Sequence, residues 1–237
     1  MELSKRLQAV ADLLSGGLRV ADIGCDHGFL SIYLVKTGKA PGCIAMDVNR
    51  GPLERAEKHI QREGLSTYID TRLSDGARAL DSDTKVEAAV MAGMGGKLMI
   101  RIIEDSRDQF LGMRELVLQP QSEIAMVRAY VRQMGWQITA EDMVLEEGKF
   151  YPMMKVEAGS KEKSSENQEL FDCYGELLLK NRHPVLKEFL QKEEKQQKEI
   201  LLKLQKQNTE RSRERSRQIQ KNLGKIHQGL EWFTDEV

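Results

Sequence analysis

Leu18-Arg-Val-Ala-Asp-Ile-Gly-Cys-Asp-His-Gly28 decides how this chain folds. Leu18, Val20, Ala21 and Ile23 form a short apolar run, the pattern of a strand buried on both faces of a parallel sheet. The run gives way to Gly24 and Gly28, after which Leu30, Ile32, Leu34 and Val35 recur at spacings that suit a helix packed back onto that sheet. A strand, a glycine turn and a helix build a ligand crevice at the carboxyl end of the first strand. Gly24 permits the tight turn, and Gly28 lets the backbone approach a ligand where a side chain would collide. The dinucleotide pattern G-x-G-x-x-G is absent, since the loop reads Gly-Cys-Asp-His-Gly. Its acids, Asp22 and Asp26, suit a cationic or hydroxyl-rich ligand better than a pyrophosphate.

The following segments extend the same plan. Gly42-Cys-Ile-Ala-Met-Asp47 reads as a second buried strand ending in a carboxylate. Asp47 follows Gly24 at close to the interval of about 20 residues at which a second-strand acid meets ribose hydroxyls. Gly51-Pro52 opens a helix with Leu53, Ala56 and Ile60 on one face, ending near Gly64. Tyr68 to Leu73 gives a third strand, and Asp75-Gly76 after it is either a common turn or an acid beside an adenine amino group. Val86 to Ala92 is the fourth strand, followed by Gly93-Met94-Gly95-Gly96, read as a loop that wraps closely around a ligand. Leu116-Val-Leu-Gln-Pro120 is the fifth strand, with Gln119 and Gln121 as base-binding polars or plain loop residues. Ile124, Val127, Tyr130 and Val131 mark the helix after it. Trp136–Glu146 and Lys149–Val156, joined by Glu147-Gly148, read as a hairpin, with Pro152 near the start of its last strand. Ahead of all this, Leu3, Leu7, Val10 and Leu14 give an amphipathic helix closed by Gly16-Gly17. The expected architecture is α/β, a doubly wound, Rossmann-like sheet with one antiparallel strand.

At Gly159 the character changes, dividing a domain of residues 1–159 from a helical domain of residues 160–237. Residues 160–168 are polar and linker-like. Leu170, Phe171, Tyr174, Leu177 and Leu178 mark one helix, stopped at Asn181-Arg-His-Pro184. Val185 to Leu204 and Ile219 to Leu230 mark the arms of an antiparallel helical hairpin with its tip near Asn208-Thr209. Lys206, Arg211, Arg213, Arg215 and Arg217 make the tip basic, which suits phosphates or simply a solvated face. Aromatic residues for base stacking are absent there, so contact would be with the backbone of a nucleic acid.

Lys and Arg (36) nearly balance Asp and Glu (37), so total charge neither requires nor excludes a polyanionic partner. Cys25, Cys43 and Cys173 are few and lack metal-ligand spacing, which fits a reducing, cytoplasmic setting and no metal site. Cys25 is expected to be a packed thiol. No apolar run has the length of a membrane span, and no signal-peptide core is present. The chain is expected to act without a stable protein partner, as a monomer or weak dimer.

Asp22-Ile-Gly-Cys-Asp-His-Gly28 resembles the first motif of the class I methyltransferases that use S-adenosylmethionine (SAM). Together with Ala92-Gly-Met-Gly-Gly96, Leu118-Gln-Pro120 and Glu146-Glu-Gly-Lys-Phe-Tyr151, it closely resembles the bacterial tRNA (adenine-22, N1) methyltransferases, the TrmK family. The resemblance is strongest over residues 1–157 and looser in the helical tail. It implies a Rossmann-like catalytic domain with a coiled-coil domain, and methyl transfer from SAM to N1 of an adenine in the D arm of tRNA. Ala92-Gly-Met-Gly-Gly96 lacks the Asn or Asp with two prolines by which amino-group methyltransferases grip their target, which fits a ring nitrogen. The resulting expectation for cofactor binding is Asp22, Gly24, Asp26, Gly28, Asp47, Asp75, Gly76, Ala92, Gly93, Met94 and Gly95. Asp26 is expected either to face the cationic base or to bind the methionine amino group, and His27 either to meet the incoming base or to pack in the loop. A class I methyltransferase of small molecules or proteins is the alternative. A nucleotide-sensing RNA-binding adaptor without chemistry is a third reading.

Overall fold

The computed structural model describes residues 2–159, 165–207 and 209–234. The chain divides into two compact units between residues 163 and 164.

The first unit is a seven-stranded sheet in the order β3-β2-β1-β4-β5-β7-β6. Its strands are β1 (Val20–Ile23), β2 (Cys43–Asp47), β3 (Ile69–Leu73), β4 (Ala88–Gly95), β5 (Glu115–Ser122), β6 (Trp136–Glu146) and β7 (Lys149–Ala158). Strands β1 to β5 run parallel, and β7 pairs antiparallel with both β5 and β6, so it is the single reversed strand. Every residue of β1 and β2 is buried, as their unbroken apolar runs require when helices cover both faces. Strand order reverses between β1 and β4, which opens a crevice at their carboxyl ends.

Helices α1 (Lys5–Leu13), α2 (Phe29–Lys36), α3 (Arg50–Arg62), α4 (Gly96–Asp105), α5 (Arg107–Leu111) and α6 (Ile124–Gln133) cover the sheet. Ser4 caps α1 by accepting from the Leu7 amide at 3.3 Å. The helix lies on β5, β6 and β7. Glu147 and Gly148 turn the β6–β7 hairpin at φ 49° and 75°, the two left-handed residues that a tight turn of matching twist demands. Pro152 occupies the part of β7 that pairs with β6 alone, clear of the β5 ladder at Met154–Glu157.

The glycine segment after the fourth strand is not an open loop. β4 continues through Gly95, pairing Met94 with Pro120 and Gly95 with Ser122 across two register shifts. The shifts kink the strand, and α4 starts directly at Gly96.

The second unit contains α7 (Gln168–Tyr174), α8 (Glu176–Lys180), α9 (Pro184–Gln205) and α10 (Glu210–Glu231). The single helix expected over 170–178 is two, because Gly175 takes φ 90° and ψ 121° and interrupts the hydrogen bonding. Helices α9 and α10 pack as the expected hairpin, burying Leu186 and Leu190 on one and Ile219, Leu223 and Ile226 on the other. Thr209 starts the return helix through a reciprocal cap. Its Oγ1 accepts from the Ser212 amide at 3.2 Å, and its own amide donates to Ser212 Oγ at 3.1 Å. Asn208 and the linker positions 160–164 lie outside the described residues.

Candidate active site

A cleft of about 570 Å³ opens at the carboxyl ends of β1, β2 and β4. Asp22, Gly24, Asp26, Asp47, Asp75, Gly76, Ala92, Gly93 and Met94 line it, as does His27. Gly28 and Gly95 do not.

Asp22 is buried within β1, and Ser31 Oγ of α2 donates to its Oδ2 at 2.7 Å. Burial pushes its carboxyl up to about 6, the nearby charge of Asp47 adds to the rise, and the Ser31 hydrogen bond opposes it. Asp47 closes β2. Its Oδ1 accepts from the Asn49 amide at 2.8 Å, while Oδ2 carries no hydrogen bond among the described residues. Asp75, past β3, is engaged by Arg101 at 3.5 Å and Arg78 at 3.4 Å. The turn that holds it is braced by Ser74, whose Oγ donates to the Gly76 carbonyl at 2.8 Å.

The loop after β1 carries the more exposed groups. Asp26 takes φ 48°, an uncommon conformation for a residue with a side chain, and its carboxylate faces His27 at 3.6 Å and Arg55 at 3.7 Å. The His27 ring stacks on Phe29 at 5.4 Å and on His59 at 5.9 Å, and His59 Nδ1 donates to the His27 carbonyl at 3.0 Å. His27 is therefore held in an aromatic stack at the cleft. Cys25 is a buried thiol, and burial drives its pKa far above the ordinary range, which leaves it inert.

Gly28 serves a different purpose from the expected one. It sits at φ 71° before α2, and a Cβ there would lie 3.0 Å from Ala56 Cβ. Its missing side chain lets α2 meet α3, not a ligand. Gly95 likewise abuts Ser122 Oγ. Gln119 is fully buried and donates to the Pro120 carbonyl at 3.3 Å, so it does not reach for a base, whereas Gln121 lines the cleft. Arg6 and Phe29 are not marked by spacing, because helices α1 and α2 bring them to the cleft only through the tertiary fold, where the Tyr151 ring of β7 lies beside Arg6.

The donor set fits SAM. Two buried carboxylates, one with an open oxygen, lie beside a cleft wide enough for a nucleoside with an amino-acid arm, and a thioether lines its β4 side. The sheet order and these strand-end acids define a class I, SAM-dependent methyltransferase. The sequence profile of TrmK, the tRNA (adenine(22)-N(1))-methyltransferases, matches residues 20–228. The tRNA (adenine(22)-N(1))-methyltransferase of Bacillus subtilis is 35% identical over 162 residues, 68% of either chain. A crystal structure of a proposed tRNA (m1A22) methyltransferase from Streptococcus pneumoniae, solved with SAM, is 32% identical, with a TM-score of 0.86 over 97% of this chain and 100% of that one. The crystal structure of the B. subtilis TrmK superposes with a TM-score of 0.84 at 27% identity, over 97% of this chain and 99% of that one. The chain belongs to the tRNA (adenine(22)-N(1))-methyltransferase family. It is an enzyme that uses SAM to methylate N1 of an adenine in tRNA.

Proposed function

We propose that the cleft between β1, β2 and β4 is where this chain methylates N1 of adenine 22, and that the basic tip of the α9–α10 hairpin contacts the tRNA backbone. The observation that carries the reading is Asp47, a strand-end carboxylate with one oxygen fixed by the Asn49 amide and the other open to the cleft. Such a group accepts hydrogen bonds from both ribose hydroxyls. Asp22, Gly24, Gly76, Ala92, Gly93 and Met94 complete the cradle, with Asp75 on the adenine side.

Bound there, SAM supplies a methyl group already activated by its sulfonium. The residues of the chain have to align the target and stabilise charge. N1 lies on the Watson–Crick edge, so the adenine leaves its stack to enter the cleft. The His27–Phe29–His59 stack offers it an aromatic face. Attack by the N1 lone pair leaves a cationic base, and the exposed Asp26 carboxylate stands at the cleft to face that charge. No proton has to move for the methyl to transfer. At the hairpin tip, Lys206, Arg211, Arg213, Arg215 and Arg217 are all exposed, as backbone contacts require. A tRNA substrate and a chain with only three cysteines support a cytoplasmic setting.

The test is methyl incorporation from labelled SAM into an unmodified tRNA transcript, with the product located and identified by mass. N1-methyladenosine at position 22, lost on changing that adenine, supports the reading. SAM binding without transfer to tRNA overturns it and favours a small-molecule or protein substrate.

A further inference from the structure

The acidic wall of the cleft accounts for the cationic parts of a ligand and leaves its anionic part without a partner. Two arginines line the cleft. Arg101 is paired with Asp75 at 3.5 Å. Arg6 has no carboxylate within ion-pair distance of its guanidinium among the described residues, although it is half-buried. A cation taken partly out of water without a counter-ion is costly unless a ligand supplies one.

The guanidinium is nonetheless held in place. Its Nη1 donates to Gln119 Oε1 at 2.9 Å, and its Cζ lies 5.6 Å from the centre of the Tyr151 ring. Gln119 is itself fixed, since it is fully buried and donates to the Pro120 carbonyl. A Cβ on Gly93 would stand 3.4 Å from Nη1, so the absence of a side chain there leaves the cation open toward the kinked end of β4. The backbone of Arg6 is anchored as well. The Lys5 and Arg6 amides donate to Glu146 Oε1 at 2.6 and 3.4 Å. Three distant segments thus converge to orient one unpaired cation, which is the arrangement of a preorganised anion clamp.

We propose that Arg6 binds an oxyanion within this cleft, with Gln119 as its positioning residue. Two oxyanions come to such a site, the carboxylate of the methionine arm of SAM and the phosphate of the entering nucleotide. The inference rests on the cleft being the SAM site.

The experiment compares full-length wild type with Arg6→Ala, Arg6→Lys and Gln119→Leu. It measures affinity for SAM and for 5′-methylthioadenosine, which lacks the amino-acid end, and KM for tRNA across a salt series. If the partner is the carboxylate, Arg6→Ala weakens SAM by about 10- to 100-fold and leaves 5′-methylthioadenosine unchanged. If it is the phosphate, SAM affinity holds, KM for tRNA rises about tenfold, and the salt slope falls by about one. Gln119→Leu follows the same selectivity with a smaller loss, and Arg6→Lys recovers part of it, which keeps the test decisive should Arg6→Ala fold poorly. Unchanged SAM affinity together with unchanged tRNA kinetics overturns the proposal. Equal loss of SAM and 5′-methylthioadenosine also overturns it, since that marks general damage. Failure of the cleft assignment has its own signature, an Asp47→Ala variant that binds both nucleosides as wild type does.

Discussion

The terminal methyl of Met94 occupies the position that any side chain on Gly24 would need. The first and fourth strands therefore meet over a single missing Cβ, and Gly24 also sits at φ 78°. Gly24→Ala carries both a collision and a strained backbone. It should reduce SAM affinity at least tenfold, since the Met94 thioether must swing into the cleft. Met94→Ala in the same chain relieves the collision and leaves the strain. Calorimetric titration of the two single variants and the double variant should show a favourable coupling between the positions, and strict additivity would refute the contact.

Gly28→Ala separates packing from ligand approach. The new methyl meets Ala56 at the α2–α3 contact, so the loss should appear as stability, about 1–3 kcal/mol in a denaturant titration. The remaining folded fraction should bind SAM with near-normal affinity. A stable variant that no longer binds SAM would restore the role first expected for this glycine.

Asp22 gives the site a pH dependence with a definite sign. Its folded pKa, about 6, lies above the unfolded value of about 4. A carboxyl shifted in this direction holds its proton more tightly in the folded protein. Stability therefore declines as pH rises from about 4 through about 6 and levels off above that. Asp22→Asn should gain up to about 3 kcal/mol near neutral pH and nothing below pH ~4, read from urea midpoints. SAM affinity of the wild type should strengthen as pH rises through about 6, because the cationic ligand favours the ionised carboxylate. A flat affinity profile between pH ~5 and ~7 would contradict the assignment.

Exchanging Arg211, Arg213, Arg215 and Arg217 together for Gln should raise KM for tRNA about tenfold or more and flatten its salt dependence by up to about four charges. SAM affinity should stay as it is. Equal tRNA kinetics in the variant and the wild type would reduce the tip to a solvated helix face.

Arg128 on α6 donates to Glu141 on β6 at 2.8 Å, with both side chains almost entirely buried. Removing one partner breaks this buried ion pair, so Glu141→Ala should destabilise the first unit by about 3–5 kcal/mol. Replacing both by apolar residues of similar volume should recover most of that loss.

Much of this arrangement is legible along the chain because it depends on neighbours in sequence. The apolar runs at Val20–Ile23 and Cys43–Asp47, the acid that ends the second, and the Glu147-Gly148 turn each state their local structure directly. The continuation of β4 through Gly95 is not legible, since it depends on where Pro120 and Ser122 of β5 fall beside it. The break at Gly175 hides within an apolar helical stripe, where one backbone angle outweighs the periodicity. Arg6 stayed invisible for a related reason. A basic residue on an amphipathic helix reads as solvent-facing until Gln119 and Tyr151 are brought beside it.

The bond from Glu146 to the start of α1 has a consequence for synthesis. Helix α1 leaves the ribosome well before the hairpin that completes the sheet, and a residue on that hairpin secures it, so this anchor does not exist when α1 emerges. Throughout translation of the intervening strands, the first turn of α1 lacks the Glu146 carboxylate that anchors it in the finished fold. A nascent chain released before residue 146 therefore carries every acidic group of the pocket and lacks the carboxylate that seats the Arg6 backbone.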